Sequence, residues 1–279
     1  MDKLIYMDNA ATTSTAPEVV SAMLPFFTEY YGNPSSVYNF AQKSKMAIED
    51  AREIIADSIG AAKSNEIYFT GGGSESDNWA LKSAAFGLRN KGNHIITTKI
   101  EHHAILNTCA YLEKNGFEIT YLDVDSEGFV SLEDVENAIT EKTILISVMF
   151  ANNEIGTIEP VCEIGEIAHK HGILFHTDAV QAMCHVPINV TEMNIDLLSA
   201  SAHKFHGPKG VGFMYMKNSA KLEPFIHGGA QERARRAGTS NVPGIVGMGQ
   251  AVKLALSTLD KDTHTIINMR NYIVDRIIG

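Results

Sequence analysis

Short apolar runs bounded by polar residues or glycines recur through the middle of the chain. They read as strands at Ile67 to Thr70, His94 to Thr98, Glu118 to Leu122, Thr143 to Met149, Leu174 to Asp178, Leu197 to Ser201 and Gly212 to Met216. Between them the apolar positions fall at helical spacing, over Glu75 to Arg89, Ala104 to Asn115, Leu132 to Ala138 and Val161 to His171. This alternation predicts an α/β fold, a mostly parallel sheet with flanking helices. A further helix, Lys43 to Ile59, precedes it, with Met46, Ala47, Ala51, Ile54, Ile55 and Ile59 on one face. A last helix is expected over Thr263 to Ile278, without a terminating signal. No internal repeat, low-complexity tract or linker interrupts the pattern.

Composition narrows the function classes. The chain has 279 residues, 44% of them hydrophobic, enough to bury a full core. Its formal net charge of −10 argues against nucleic-acid or anionic-membrane partners. There is no run of 18 apolar residues to span a membrane, and Met1 to Tyr6 carries no secretory apolar core. The three cysteines, Cys109, Cys162 and Cys184, are odd in number and far apart, which fits a reducing cytoplasm rather than a disulfide framework.

The candidate chemistry centres on Ser201-Ala202-His203-Lys204-Phe205-His206-Gly207-Pro208, directly after an apolar strand. Lys204 would supply an amine to pyridoxal 5′-phosphate (PLP). Asp178, closing the previous strand, would hold the pyridine nitrogen protonated and make the ring an electron sink. Gln181 could donate to the cofactor's phenolic oxygen. Gly71 to Asn78 turns from a strand into a helix, a start that favours phosphate, with Ser74 and Asp77 spaced as a capping box. It has neither P-loop nor dinucleotide spacing. Of the pair His102-His103, at a strand's carboxyl end, His102 is expected to face the ligand. Asn152-Asn153-Glu154-Ile155-Gly156 is either a turn or an amide donor to the site. The basic loop His227 to Thr239 either reaches a neighbour's phosphate or is a solvated surface. No metal-binding spacing and no Gly-x-Ser-x-Gly elbow occur.

With Tyr6 to Thr13, Gly32 to Ser36 and Arg236 to Thr239 in the same order, these blocks resemble the cysteine desulfurases over essentially the whole chain. That family lies in the class V aminotransferase group of PLP enzymes, fold type I. The resemblance implies Lys204 as the Schiff-base lysine, Asp178 as partner of the ring nitrogen and His102 as the stacking imidazole. It implies Gln181 and Asn153 near the phenolic oxygen and substrate, and Gly73, Ser74, Ser201 and His203 at the phosphate. Ser74 stands where the family often has Thr, and Gly73 where Ala is common. Thr239 would reach the phosphate of a partner subunit, which implies a homodimer.

The implied reaction takes sulfur from L-cysteine, leaves alanine, and passes a persulfide to an acceptor protein for iron–sulfur cluster assembly or tRNA thiolation. The family's nucleophilic cysteine and carboxylate-binding arginine are expected beyond position 279, so this chain is expected to bind PLP without full activity. The implied organisation is an N-terminal arm (1–15), a large PLP-binding domain (16–255) and the start of an incomplete small domain (256–279). A class V aminotransferase, a selenocysteine lyase and a non-catalytic partner subunit are the alternative readings.

Overall fold

The computed structural model describes residues 5–220 and 222–278; Met1 to Leu4 of the expected N-terminal arm, Lys221 of the expected large domain and Gly279 lie outside them. Seven strands form one sheet: β1 (Ile67–Thr70), β2 (His94–Thr98), β3 (Glu118–Leu122), β4 (Thr143–Ser147), β5 (Leu174–Asp178), β6 (Leu197–Ser201) and β7 (Gly212–Met216). Their spatial order is β1-β7-β6-β5-β4-β2-β3. Neighbours from β3 through β6 pair in parallel, whereas β7 is antiparallel to both β6 and β1. The reason is local. Only residues 202–211 separate β6 from β7, too few for the helical crossover that a parallel pair requires.

That reversal positions the chemistry. Gly212 pairs with Thr70 on one side and Ser201 on the other. The turn after β1 and the lysine turn after β6 therefore leave the sheet side by side. A Cβ at Gly212 would stand 2.4 Å from the Ala200 carbonyl oxygen and 2.8 Å from the Gly72 Cα. Gly212→Ala is expected to destabilise the fold by ~1–3 kcal/mol, as overpacked sites do. It should also loosen cofactor binding, because the glycine turn must move; equal denaturation midpoints for variant and wild type would contradict this.

The helices are α1 (Pro17–Met23), α2 (Pro25–Thr28), α3 (Asn39–Ser58), α4 (Gly73–Gly87), α5 (His103–Glu113), α6 (Leu132–Asn137), α7 (Val161–Lys170), the single turn α8 (Gln231–Ala234) and α9 (Val242–Ile278). Adjacent strand residues enter opposite layers, as the pleat requires. Ile96, Ile146, Leu198 and Phe213 join the core under α3, α7 and the start of α9. Ile95, Leu145, Leu197 and Met214 join Trp79 and Cys109 on the face of α4 and α5.

Three expectations are corrected. Strand β4 stops at Ser147 rather than Met149, because the Met149 N–H leaves the ladder to donate to Glu101 Oε1 at 2.8 Å. In α3 the buried face is Ala41, Ser44, Ile48, Ala51, Arg52 and Ile55, and Met46 is exposed. The expected terminal helix starts at Val242, not Thr263. Glycines 244, 247 and 249 mask it in the sequence, since glycine is a poor helix former. In the fold they allow close approach: a Cβ at Gly249 would lie 2.9 Å from the Ala51 Cβ, and one at Gly247 would lie 2.6 Å from the Met23 sulfur.

The helix runs unbroken through the expected domain boundary at 255/256. Val242, Ile245, Met248 and Val252 are buried, and residues 260–278 are exposed. One 18-residue stretch of α9 is long and apolar enough to cross a membrane by length and composition alone, but 44% of it is buried within the protein. It packs on α1 and α3 as a core helix does.

Candidate active site

The glycine turn after β1 opens the site. Gly72 has φ 150°, a conformation side chains disfavour, and it is the residue before α4. The capping box expected from Ser74 and Asp77 does not form, and no side chain caps α4. Glu75 takes the structural role instead. Its carboxylate accepts the Gly71 N–H at 2.8 Å and two bonds from Arg236, at 2.7 and 3.0 Å. Ser76 is tied down by Thr70 Oγ1 at 2.8 Å and the Phe213 carbonyl at 3.1 Å. Ser74 is left facing the cavity. Gly73 leaves room for Val180, whose Cγ2 would lie 2.6 Å from an added Cβ.

The lysine turn is clamped by the N-terminal segment. The Thr13 N–H donates to the His203 carbonyl at 2.9 Å, and Thr13 Oγ1 accepts the His206 N–H at 2.8 Å. His203 Nδ1 pairs with Thr12 Oγ1 at 3.1 Å. Lys204 Nζ donates to the Ala10 carbonyl, which also accepts a Gln181 N–H at 2.9 Å. Burial lowers the Lys204 pKa, with Asp178 and Asp8 opposing it, so the amine yields its proton more readily than a surface lysine.

Asp178 ends β5, is buried, and accepts the Val180 N–H at 2.9 Å. Its pKa is raised by burial, against the pull of that bond, His102 and Lys204. His102 caps α5: its Nδ1 accepts the Ala104 N–H at 3.1 Å, which leaves the proton on Nε2 when the ring is neutral. His103 lies in a neighbouring groove instead. The Asn-Asn pair divides its labour. Asn152 holds the turn, donating to the Ile100 carbonyl at 3.1 Å and accepting the Glu154 and Ile155 N–H groups, while Asn153 lines the cavity.

Glu101 supports this floor. Its Oε1 accepts Thr98 Oγ1 at 2.9 Å and the Met149 N–H, and burial pushes its pKa up to about 8. The folded state therefore binds a proton that the unfolded chain releases near pH 4.5. Stability falls as pH rises from there to about 8. Glu101→Gln removes that proton linkage, so the variant should gain stability relative to wild type between pH 5 and about 8. A pH-independent difference in melting temperature would contradict this.

One cavity of about 660 Å³ collects Gly73, Ser74, His102, Asn153, Asp178, Gln181, Ser201, His203 and Lys204, every expected site residue but one. Thr239 is the exception: it is exposed, beside Gly71 and Arg236 in a separate depression. Sequence reasoning missed Asp8, Asp77, Met149, Glu154 and Val180, which also line the cavity. It assigned Asp77 to a cap, whereas the side chain turns inward and is buried. Cys109 and Cys184 are buried, with thiol pKa values pushed up to about 12, and Cys162 is exposed; none lines the cavity.

The cavity has two chemically distinct ends. The first turn of α4, with Ser74, Ser201 and His203, suits a phosphate. The buried Asp178 carboxylate suits a protonated ring nitrogen, and Lys204 carries an amine in the same cavity. The residues present fit PLP.

The aminotransferase class-V family model matches residues 5–277. Cysteine desulfurase IscS of Clostridium botulinum (strain Hall) is 60% identical over 274 residues, covering 98% of this chain and 69% of the relative. A solved structure described as a NifS-like protein superposes with a TM-score of 0.96 at 42% identity, over 99% of this chain and 76% of that one. Another, described as SspA in complex with cysteine, has a TM-score of 0.88 and 45% identity, over 95% of this chain and 78% of that one.

Proposed function

Because the chain belongs to the class-V aminotransferase family and, within it, to the PLP-dependent cysteine desulfurases, we propose that its cavity binds PLP and L-cysteine and works on the bond between the substrate's β carbon and its sulfur. The observation that carries this reading is the convergence of Lys204, Asp178, His102 and the Ser74–Ser201–His203 end in one cavity. The desulfurase reaction yields alanine and transfers sulfur as a persulfide. An acceptor protein serving iron–sulfur assembly or tRNA thiolation takes it up.

When bound, PLP supplies an electron sink for charge developing at the substrate α carbon. Asp178 holds the ring nitrogen's proton. Ser74, Ser201, His203 and the start of α4 hold the phosphate. Gln181 and Asn153 would be donors for the phenolic oxygen and the substrate, and His102 would pack against the ring. Lys204 Nζ anchors the cofactor and, once substrate has arrived, moves the proton at the substrate α carbon. The lowered pKa of its amine suits that transfer.

Thr239 on the surface fits a residue that completes a partner subunit's phosphate site, so the proposed working form is a homodimer; the three scattered cysteines fit a reducing, cytoplasmic setting. The large domain would span 16–255, with the exposed part of α9 leading into the small domain. The sulfur-accepting thiol is not one of the three cysteines seen here. With PLP and L-cysteine, the 279-residue chain is expected to form no persulfide on Cys109, Cys162 or Cys184. Mass spectrometry after alkylation of persulfides tests this; a Lys204-dependent persulfide on any of the three would overturn it.

A further inference from the structure

Asp77 is the least explained polar group of the cavity. It is 1% exposed, and neither carboxylate oxygen has a hydrogen-bond partner. Asp77, His102 and Asp178 each place one polar atom within 4.8 Å of the others. Among the described residues its one charge partner is His176, whose Nε2 lies 3.8 Å from Oδ1. That imidazole is already engaged. Its Nδ1 pairs with Ser147 Oγ at 2.9 Å and its Nε2 with Ser199 Oγ at 3.0 Å. Burial holds the His176 pKa down to about 3, so the ring brings no positive charge.

Burial disfavours a charge on Asp77 most, Asp178 and Glu101 add to it, and only the Ser199 hydroxyl opposes them. Glu101 and His102 face it from the segment between β2 and α5, Asp178 and His176 from β5, and Ser199 from β6, while Lys204 lies across the cavity nearer Asp178. Asp178 has a backbone N–H to steady a negative charge, and Asp77 has none. Two carboxylates this close in a buried site do not both ionise.

We propose that Asp77 is a neutral carboxylic acid whose proton is directed at Asp178, so that the pair carries a single negative charge and Asp178 is oriented toward the ring nitrogen. Asp77 is thus a positioning residue; this rests on the PLP reading of the cavity. No net proton transfer is required. The O–H stays on Asp77, and the negative charge stays on Asp178.

The test compares Asp77→Leu and Asp77→Asn with wild type in PLP titrations of the 279-residue chain from pH 6.5 to 9. A hydrogen bond to a charged group is worth about tenfold to a hundredfold in affinity. Asp77→Leu should weaken PLP binding by at least that tenfold at every pH, with its circular dichroism unchanged. Asp77→Asn, which keeps a neutral donor, should restore affinity. If the two variants bind alike, the inference is overturned.

A second measurement needs no cofactor. A buried acid with a raised pKa makes the wild-type fold less stable as pH rises, so the melting temperature of cofactor-free Asp77→Asn should climb relative to wild type from pH 5 to 9. A constant difference overturns the neutral-acid assignment. If wild type fails to bind PLP at all, the reading of the cavity fails while this second result still decides the state of Asp77.

Discussion

Lys204→Ala is expected to abolish covalent retention of PLP and to slow exchange of the substrate's α proton by ~10²–10⁴-fold, the usual contribution of a positioned acid–base group. The fold should survive. The lysine turn is held by Thr13 through backbone and hydroxyl bonds to His203 and His206, none of which involves the Lys204 side chain. What disappears is one amine that shares its cavity with Asp178 and with Ser74, Ser201 and His203, the end proposed for the phosphate. Two assays separate the effects: retention of the yellow cofactor through gel filtration, and deuterium incorporation at the α carbon of L-cysteine followed by NMR. A Lys204→Ala protein that retained the cofactor and exchanged at the wild-type rate would remove this residue from the chemistry.

Arg52→Ala is expected to destabilise the chain by ~3–5 kcal/mol, the range for breaking a buried ion pair and leaving one charge uncompensated. Arg52 lies on α3 with its side chain 4% exposed, and its partner Glu232 is 6% exposed. The guanidinium donates to Glu232 at 2.8 and 3.0 Å and to the Ile67 carbonyl at 2.7 Å, and it sits 4.6 Å from the Phe69 ring. Glu232 also accepts the Phe69 N–H at 3.1 Å. Burial disfavours charge on Arg52, but Glu232 and Glu49 outweigh it, and the arginine is held more firmly protonated than usual.

Removing Arg52 strands a carboxylate between α3 and β1. It also frees a turn whose residues Glu232, Arg233 and Ala234 all have positive φ. Such conformations persist only where surrounding contacts impose them. The same turn leads to Arg236 and Thr239, so the phosphate contact proposed for Thr239 in a dimer should suffer with it. Urea unfolding at constant m-value measures the loss. Arg52→Met combined with Glu232→Gln should recover much of it, since no buried charge remains. A single variant as stable as wild type would show that the pair is not needed.

The alternation of strands and helices was legible because each strand is short, apolar and closed by a turn. Six of the seven strands lie between the residues expected for them, Ile67–Thr70 through Gly212–Met216. β4 departed where a buried carboxylate, Glu101, captured a backbone N–H that a ladder would otherwise use. Helix α9 was hidden because its glycines signal a break locally and become close contacts only when Ala51 and Met23 arrive from far away in sequence. The grouping of the candidate site was legible where a strand's carboxyl end carries a distinctive residue, as with Lys204 and Asp178, which the fold brings into one cavity. It was illegible at Asp77, where a cap and a buried acid share one spacing. Only the third dimension shows that Glu75 does the tethering and Asp77 points inward.

The most direct test of the central claim is borohydride reduction of the wild-type chain after incubation with PLP, followed by peptide mapping. One phosphopyridoxyl group per chain, on the peptide bearing Lys204, is the predicted result. Label spread over surface lysines such as Lys82 or Lys99, or no label at all, would contradict the assignment of this cavity as the PLP site.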